Sequence, residues 1–128
     1  MHSLNLPRKP VVVMICVGVA ALHLVTGPTY NGLLRPFVTG HLIDLLLPFS
    51  SVLLLGVDPA RTPWLRSSIR RALLVFILGA VVECCQYFGV HFFGRTFDPL
   101  DLLMYATGVT VAVGFERVVF PPPPKRTA

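Results

Sequence analysis

Residues 70–93, RRALLVFILGAVVECCQYFGVHFF, open with two arginines, continue through an apolar run, and place Glu83 and Gln86 near its end. A short loop leads to a second apolar run, which begins close to Asp101. A carboxylate inside a membrane span costs about 2.5–3.5 kcal/mol on insertion scales unless it is paired or hydrated. Polar residues with such a cost predict either a functional site or a structural lock where these two runs meet.

The composition is typical of a small integral membrane protein. Of the 128 residues, 54% are hydrophobic and 13% are charged, and the mean hydropathy is +0.72. A soluble domain carries about 25% charged residues. The net charge of +5 would favour nucleic acid or anionic lipid as the partner of a soluble chain. Here the basic residues flank apolar runs, so we expect membrane lipids as partners and no nucleic acid.

Four apolar runs are long enough to cross a hydrocarbon core of about 30 Å. They cover about residues 10–26, 38–57, 70–93 and 99–120. The predicted fold is all-α, with residues 1–128 forming one integral membrane domain, a four-transmembrane-helix bundle with a Pro-rich tail at 121–128. Pro48 predicts a kink in the second run, and Asp98-Pro99 predicts a helix cap and first turn at the start of the fourth.

The first run has a second interpretation. It is short, it follows Arg8 and Lys9, and Gly18-Val19-Ala20 is similar to a cleavage site, as in a signal peptide. The three later runs favour a retained membrane helix.

Lysine and arginine are distributed unevenly among the predicted loops. Nine of the eleven lie at the N-terminus, in the connector between the second and third runs, or at the C-terminal end; the other two are Arg35 and Arg95. Because cytoplasmic loops are enriched in Lys and Arg, both termini are predicted to be cytoplasmic.

This orientation places the polar residues of the runs in the outer half of the bilayer. Glu83 follows Arg71 by twelve residues, about 18 Å along a helix. Residues near the outer ends of the other runs lie at a similar depth. The predicted ligand-binding or polar-network residues are Glu83, Gln86, Arg95, Asp98, Asp101, Tyr105, His41 and Asp44.

Helical spacing predicts that the third and fourth runs pack as an antiparallel hairpin. Glu83 and Gln86 share one helix face, and Asp101 and Tyr105 share another. Small residues on these faces allow close helix approach. The predicted helix-packing residues are Gly79, Gly108 and Ala112.

The polar residues have two interpretations. An Arg–carboxylate network can lock a helical hairpin without binding anything. Alternatively, the carboxylates outnumber the cations on that side, so the unpaired ones hold protons, water, a cation or a ligand. His41 and Asp44 at i, i+3 are a weak metal signal, and the cysteines lack ligand spacing, so neither a metal site nor a cofactor is predicted. No nucleophile elbow, Walker loop or HExxH motif identifies catalytic residues.

The junction of the third and fourth runs resembles the signature of the VanZ-like family of small bacterial membrane proteins. The matching positions, within roughly residues 79–114, are Glu83, Gln86, Arg95, Asp98, Asp101 and Gly108. The family typically has Asn at the position of Tyr105, and a phenol offers one hydrogen bond where an amide can donate two. A related group of small membrane proteins of unknown function shares the pattern formed here by Gly94, Phe97, Asp101, Tyr105 and Gly108.

The resemblance implies a multi-pass helical protein of the bacterial inner membrane with a tie to envelope or antibiotic stress, and it implies no reaction. Three functions follow as hypotheses. The first is an acidic outer-leaflet pocket that binds a polar or cationic headgroup or a lipid-linked envelope precursor. The second is an accessory structural subunit, associated with other membrane subunits or with itself, whose polar motif is an internal staple. The third is an enzyme or proton-coupled carrier that uses Glu83 and Asp101.

Overall fold

The computed structural model describes residues 7–58, 60, 62–90 and 97–121. Within these residues the chain forms α-helices and one 3-10 turn and contains no strand. The all-α prediction is therefore confirmed. The helices are α1 (Arg8–Val25), α2 (Arg35–Gly40), α3 (Leu42–Leu55), α4 (Ser68–Tyr87) and α5 (Pro99–Val119), with the 3-10 turn Pro63–Arg66 before α4. The predicted Pro-rich tail lies, apart from Pro121, outside the described residues.

The start of α5 follows from its sequence. The Asp98 side chain accepts a hydrogen bond from the backbone N–H of Leu100 at 2.9 Å, and Pro99 occupies the first turn. A carboxylate at the N-cap satisfies an N–H that has no partner within the helix, and proline loses nothing there because it has no N–H. The predicted cap is confirmed.

The second apolar run does not form one continuous helix. A short α2 ends at Gly40, and α3 begins at Leu42 after a break at His41, whose φ is −114°. Glycine lowers helix stability because its backbone loses the most freedom on ordering. Pro48, where a kink was predicted, lies buried inside α3.

Helix α3 lies at the centre of the bundle. Its most extensive contact is with α5, and it also packs against α1 and α4, while α4 and α5 pack against each other. The α3–α5 contact is close because Gly108 has no side chain: a Cβ there would overlap the carbonyl oxygen of Leu45 and meet Pro48.

Large apolar side chains cover the outside of the bundle. Among the described residues, the buried hydrophobic core consists of Val12, Val52, Leu53, Ala72, Val109 and Ala112. Many more large apolar residues are exposed, among them Met14, Leu24, Ile77, Leu78 and Leu103. Soluble monomers rarely expose large contiguous apolar patches. This exterior therefore favours a covering of lipid or of partner protein.

Among the described helices, two are long and apolar enough to cross a membrane, namely α1 and α5. Helix α3 is apolar but has 14 residues, about 21 Å at 1.5 Å per residue. Helix α4 has 20 residues but carries Arg70, Arg71 and Glu83. By length and composition, α1 and α5 are therefore the candidate membrane spans among the described helices.

Substitution of Gly108 by alanine should test the α3–α5 contact. We expect Gly108→Ala to lower the free energy of unfolding by about 1–3 kcal/mol, because the new methyl group collides with the α3 backbone. Gly114→Ala, on the same helix with open space around the added Cβ, should instead be neutral or stabilising by up to about 1 kcal/mol, as alanine favours helix. Unfolding of both variants in mild detergent, followed by circular dichroism, gives the comparison. Equal stability of the two would contradict the contact.

Candidate functional site

The first polar cluster joins α3, α4 and α5 through the hydroxyl of Tyr105. This hydroxyl lies 3.1 Å from Oε1 of Glu83 and 3.5 Å from Oδ1 of Asp44, so it can donate to either carboxylate. Glu83 is 1% exposed. A buried carboxylate without partners is very costly, so Tyr105 provides a contact that Glu83 needs.

The second oxygen of Glu83 faces the start of α5. Its Oε2 accepts a hydrogen bond from the backbone N–H of Asp98 at 3.4 Å. Glu83 on α4 is therefore bonded both to the cap and to the second turn of α5, through a backbone N–H and a phenol, whereas the sequence predicted an arginine in this role.

His41 and Asp101 form the exposed side of the same cluster. The Nδ1 atom of His41 lies 3.0 Å from Oδ1 of Asp101, and their side chains are 24% and 18% exposed. Asp44 belongs to the same group, because the Tyr105 hydroxyl that bonds to Glu83 also lies within reach of its Oδ1. We call His41, Asp44, Glu83, Asp98, Asp101 and Tyr105 the acidic cluster. Its carboxylates run from partly exposed Asp101 to fully buried Glu83.

Part of the acidic cluster resembles the donor set of a divalent cation. Donor atoms of His41, Asp98 and Asp101 lie within 4.8 Å of one another. Imidazole nitrogen and carboxylate oxygen are common ligands of such ions. The sequence predicted no metal site, because His41 and Asp44 at i, i+3 were a weak signal; the structure instead places His41 beside Asp98 and Asp101 at the start of the neighbouring helix α5.

Two predicted site residues do not join this cluster. Gln86 is partly buried on α4, and its side chain makes no hydrogen bond to any residue that the structure describes. Arg95, the predicted partner of the carboxylates, lies outside the described residues.

The predicted packing residues lie at two different helix contacts, one between α4 and α5 and the other between α3 and α5. A Cβ on Gly79 of α4 would meet the ring of Tyr105 at 2.7 Å, so this glycine makes room for the tyrosine. Gly108 was expected to face α4 but faces α3, because α3 is the element that lies between α1 and α5. Ala112 is fully buried in the core.

A second polar cluster, which sequence reasoning missed, lies at the other end of the bundle. One carboxylate oxygen of Glu116 pairs with Arg8 and the other pairs with Arg71. Arg71 is 2% exposed; its Nε donates to the carbonyl of Val52 at 3.2 Å, and its Nη1 donates to the carbonyls of Leu65 and Arg66. Sequence adjacency would pair Glu116 with Arg117, but both of its carboxylate oxygens bond to arginines of other helices.

A sequence signal for this cluster existed. Gly108, Ala112 and Glu116 are spaced by four residues and so share one helix face, and all three are buried. A carboxylate on a face otherwise occupied by small buried residues requires a cationic partner from another helix.

The geometry defines an all-α protein with an apolar exterior, an acidic cluster at one end and an arginine–glutamate cluster at the other. A scan against protein-family models finds no match, and searches of curated proteins and of solved structures find none either. The likeness to the VanZ-like family therefore rests on the motif residues alone.

Removal of the Tyr105 hydroxyl should destabilise the protein. We expect Tyr105→Phe to lower the free energy of unfolding by about 1–3 kcal/mol, since it leaves buried Glu83 with one fewer donor. Tyr87→Phe is the matched control, because Tyr87 is 69% exposed on α4 and loss of its hydroxyl should cost less than about 0.5 kcal/mol. Denaturant unfolding in detergent measures both. Equal effects would contradict the Tyr105–Glu83 bond.

Proposed function

We propose that this protein is a four-span, multi-pass integral membrane protein of the VanZ-like type, located in the bacterial inner membrane with both termini in the cytoplasm. In this arrangement the acidic cluster lies in the outer leaflet and binds the cationic part of a polar headgroup or of a lipid-linked envelope precursor.

The separation of charge along the bundle supports this orientation. Asp101 and Glu116 lie fifteen residues apart on α5, about 22 Å, and Glu83 and Arg71 lie twelve residues apart on α4, about 18 Å. The arginine-rich end is the one that the positive-inside rule assigns to the cytoplasm. The acidic cluster then faces outward.

The excess of carboxylates carries the binding proposal. The Tyr105 hydroxyl brings the carboxylates of Asp44 and Glu83 together, and Asp101 lies one turn before Tyr105 on α5. Adjacent carboxylates cannot all be ionised without a proton or a cation between them. Among the described residues, the basic side chain that contacts these carboxylates is that of His41, which lies against Asp101. A cationic ligand group at Asp44 and Asp101 would balance the charge.

The exposure of the residues assigns them different roles. Partly exposed His41, Asp98 and Asp101 are positioned to contact a ligand. Glu83 is enclosed by the bundle, so it orients Tyr105 and the start of α5 rather than touching a ligand. The Tyr105 hydroxyl lies between the partly exposed residues of the cluster and buried Glu83.

An accessory structural subunit is the second candidate. Its support is that Glu83 bonds to α5 at two points, Tyr105 and the N–H of Asp98, as an internal staple would. The apolar exterior would then meet neighbouring subunits as well as lipid.

Reporter fusions test the membrane arrangement. Alkaline phosphatase, which is active only outside the cytoplasm, should be active when fused after Tyr30 or Val90 and inactive when fused after Thr62 or Pro121. The expected pattern follows from the distribution of Lys and Arg. Activity after Thr62 or Pro121 would contradict the orientation, and removal of the first helix in the mature protein would identify it as a signal peptide.

Native mass spectrometry of the gently solubilised protein tests the binding site. We expect a bound headgroup lipid or precursor on the parent chain, and about tenfold weaker retention in Asp101→Asn, because a hydrogen bond to a charged group contributes about 1.5–3 kcal/mol. Asp58→Asn, which makes the same charge change outside the acidic cluster, is the control.

Three outcomes of this measurement separate the candidates. Loss of the ligand in Asp101→Asn alone supports the headgroup site. A larger assembly that persists in the parent and both variants, with no bound ligand, supports the accessory subunit. A divalent metal in place of an organic ligand, lost in Asp101→Asn, would show that the cationic partner is an ion held by the donor set around His41.

A further inference from the structure

A cavity lies at the end of the bundle opposite the acidic cluster. It is an open cavity of about 320 Å³ lined by the start of α1, the segment 66–71 at the start of α4, and the end of α5. Small-molecule sites typically occupy about 300–1,000 Å³. Its basic lining residues are Arg8, Arg66, Arg71 and Arg117.

The described lining of this cavity has a large excess of positive charge. Four arginines face one carboxylate, that of Glu116, which leaves a net charge of +3. The serines at the start of α4, Ser67 and Ser68, add hydroxyl groups, and Ser67 does not use its side chain to cap the helix. The cavity thus combines guanidinium and hydroxyl donors with little acceptor capacity.

Glu116 cannot neutralise the whole cavity. Both of its oxygens are already engaged, one by Arg8 and the other by Arg71. Arg71 is also fixed by three backbone carbonyls. Arg8, Arg71 and Glu116 (the Glu116 triad) therefore form a fixed wall of the cavity that still carries one net positive charge, and exposed Arg117 adds a second beside it.

Arg8 is held in place but is incompletely satisfied. Its guanidinium carbon lies 5.2 Å from the centre of the Phe120 ring, a cation–π geometry that restrains it. Its buried Nε has no hydrogen-bond partner among the described atoms. An anion that binds in the cavity would therefore contact an Arg8 guanidinium whose position is already fixed.

We propose that this cavity binds a phosphate group. Guanidinium groups match the geometry and charge of phosphate oxygens, and arginine is the residue that most often recognises them. In the membrane arrangement of the proposed function, on which the choice of source rests, the phosphate is that of an anionic lipid headgroup in the cytoplasmic leaflet, where basic pockets between helices bind such lipids.

The test uses the full chain in mild detergent and two phosphate probes. Phosphatidylglycerol is added in one arm and inorganic phosphate in the other, and retention is measured by native mass spectrometry for the lipid and by calorimetry for the free anion. The variant is Arg117→Gln, whose side chain lines the cavity without belonging to the Glu116 triad. The control is Arg70→Gln, an exposed arginine at the start of α4 that does not line the cavity.

We expect Arg117→Gln to weaken phosphatidylglycerol binding about tenfold, the effect of losing one charge-assisted contact, and Arg70→Gln to change it less than about twofold. The double variant Arg66→Gln/Arg117→Gln should weaken binding further while the circular dichroism spectrum stays unchanged. Binding of phosphatidylglycerol alone identifies a lipid site, and a matching loss of inorganic phosphate identifies the phosphate group itself as the ligand.

Equal weakening by Arg70→Gln and Arg117→Gln would overturn the proposal, since it would show attraction to general positive charge. Absence of binding by the parent chain in both arms would do the same. The inorganic phosphate arm requires no membrane, and Asp101→Asn leaves the cavity intact. Failure of the outer-leaflet site is therefore distinguishable from failure of this one.

Discussion

Glu116 holds three helices together at one end of the bundle. Its carboxylate pairs with Arg8 of α1 and Arg71 of α4, and Arg71 in turn donates to the α3 carbonyl of Val52. Removing these charges from water is costly, so the cluster adds less stability than its bonds would suggest. Removing one of the charged side chains leaves a buried charge unpaired, which is far more costly. The arrangement in which all three charges meet is therefore strongly selected over other helix packings.

The position of the acidic cluster, at the opposite end of the bundle, depends on the ion pairs of Glu116. Once Glu116 is fixed, the same face of α5 presents Ala112 to the core and Gly108 to the backbone of α3. The helix can then approach α3 closely, and Tyr105, one turn earlier, comes within reach of the acidic residues of α3 and α4. Because the described apolar core is small, polar contacts at the two ends are what specify helix register in this bundle.

The two ends of the bundle differ in the sign of the charge that is left unbalanced. In the acidic cluster, carboxylates converge around one phenol and one imidazole. In the arginine cluster, guanidinium groups converge around one carboxylate. The acidic cluster therefore has an excess of negative charge, and the arginine cluster has an excess of positive charge. Proposals of a cationic ligand at one end and a phosphate at the other follow from the same principle, that buried charge must be balanced.

The sequence by itself determined the all-α fold, the cap at Asp98 and the presence of apolar helical runs, and it named Glu83, Asp101 and Tyr105 as candidates that the structure places in one cluster. These follow from local rules: hydrophobic run length, proline and cap chemistry, and helical spacing. The break at His41 was missed because tertiary packing and the weak helix preference of Gly40 outweighed an apolar run that was continuous in sequence.

Only the tertiary structure decided which residues meet. Gly108 packs on α3 rather than α4, Glu116 pairs with Arg8 and Arg71 rather than with Arg117, and His41 lies beside Asp101. Helical spacing specifies the face on which a residue lies, but not which neighbouring helix covers that face. That choice depends on the balance of buried charges over the whole bundle, and such a balance connects residues as far apart in the chain as Arg8 and Glu116.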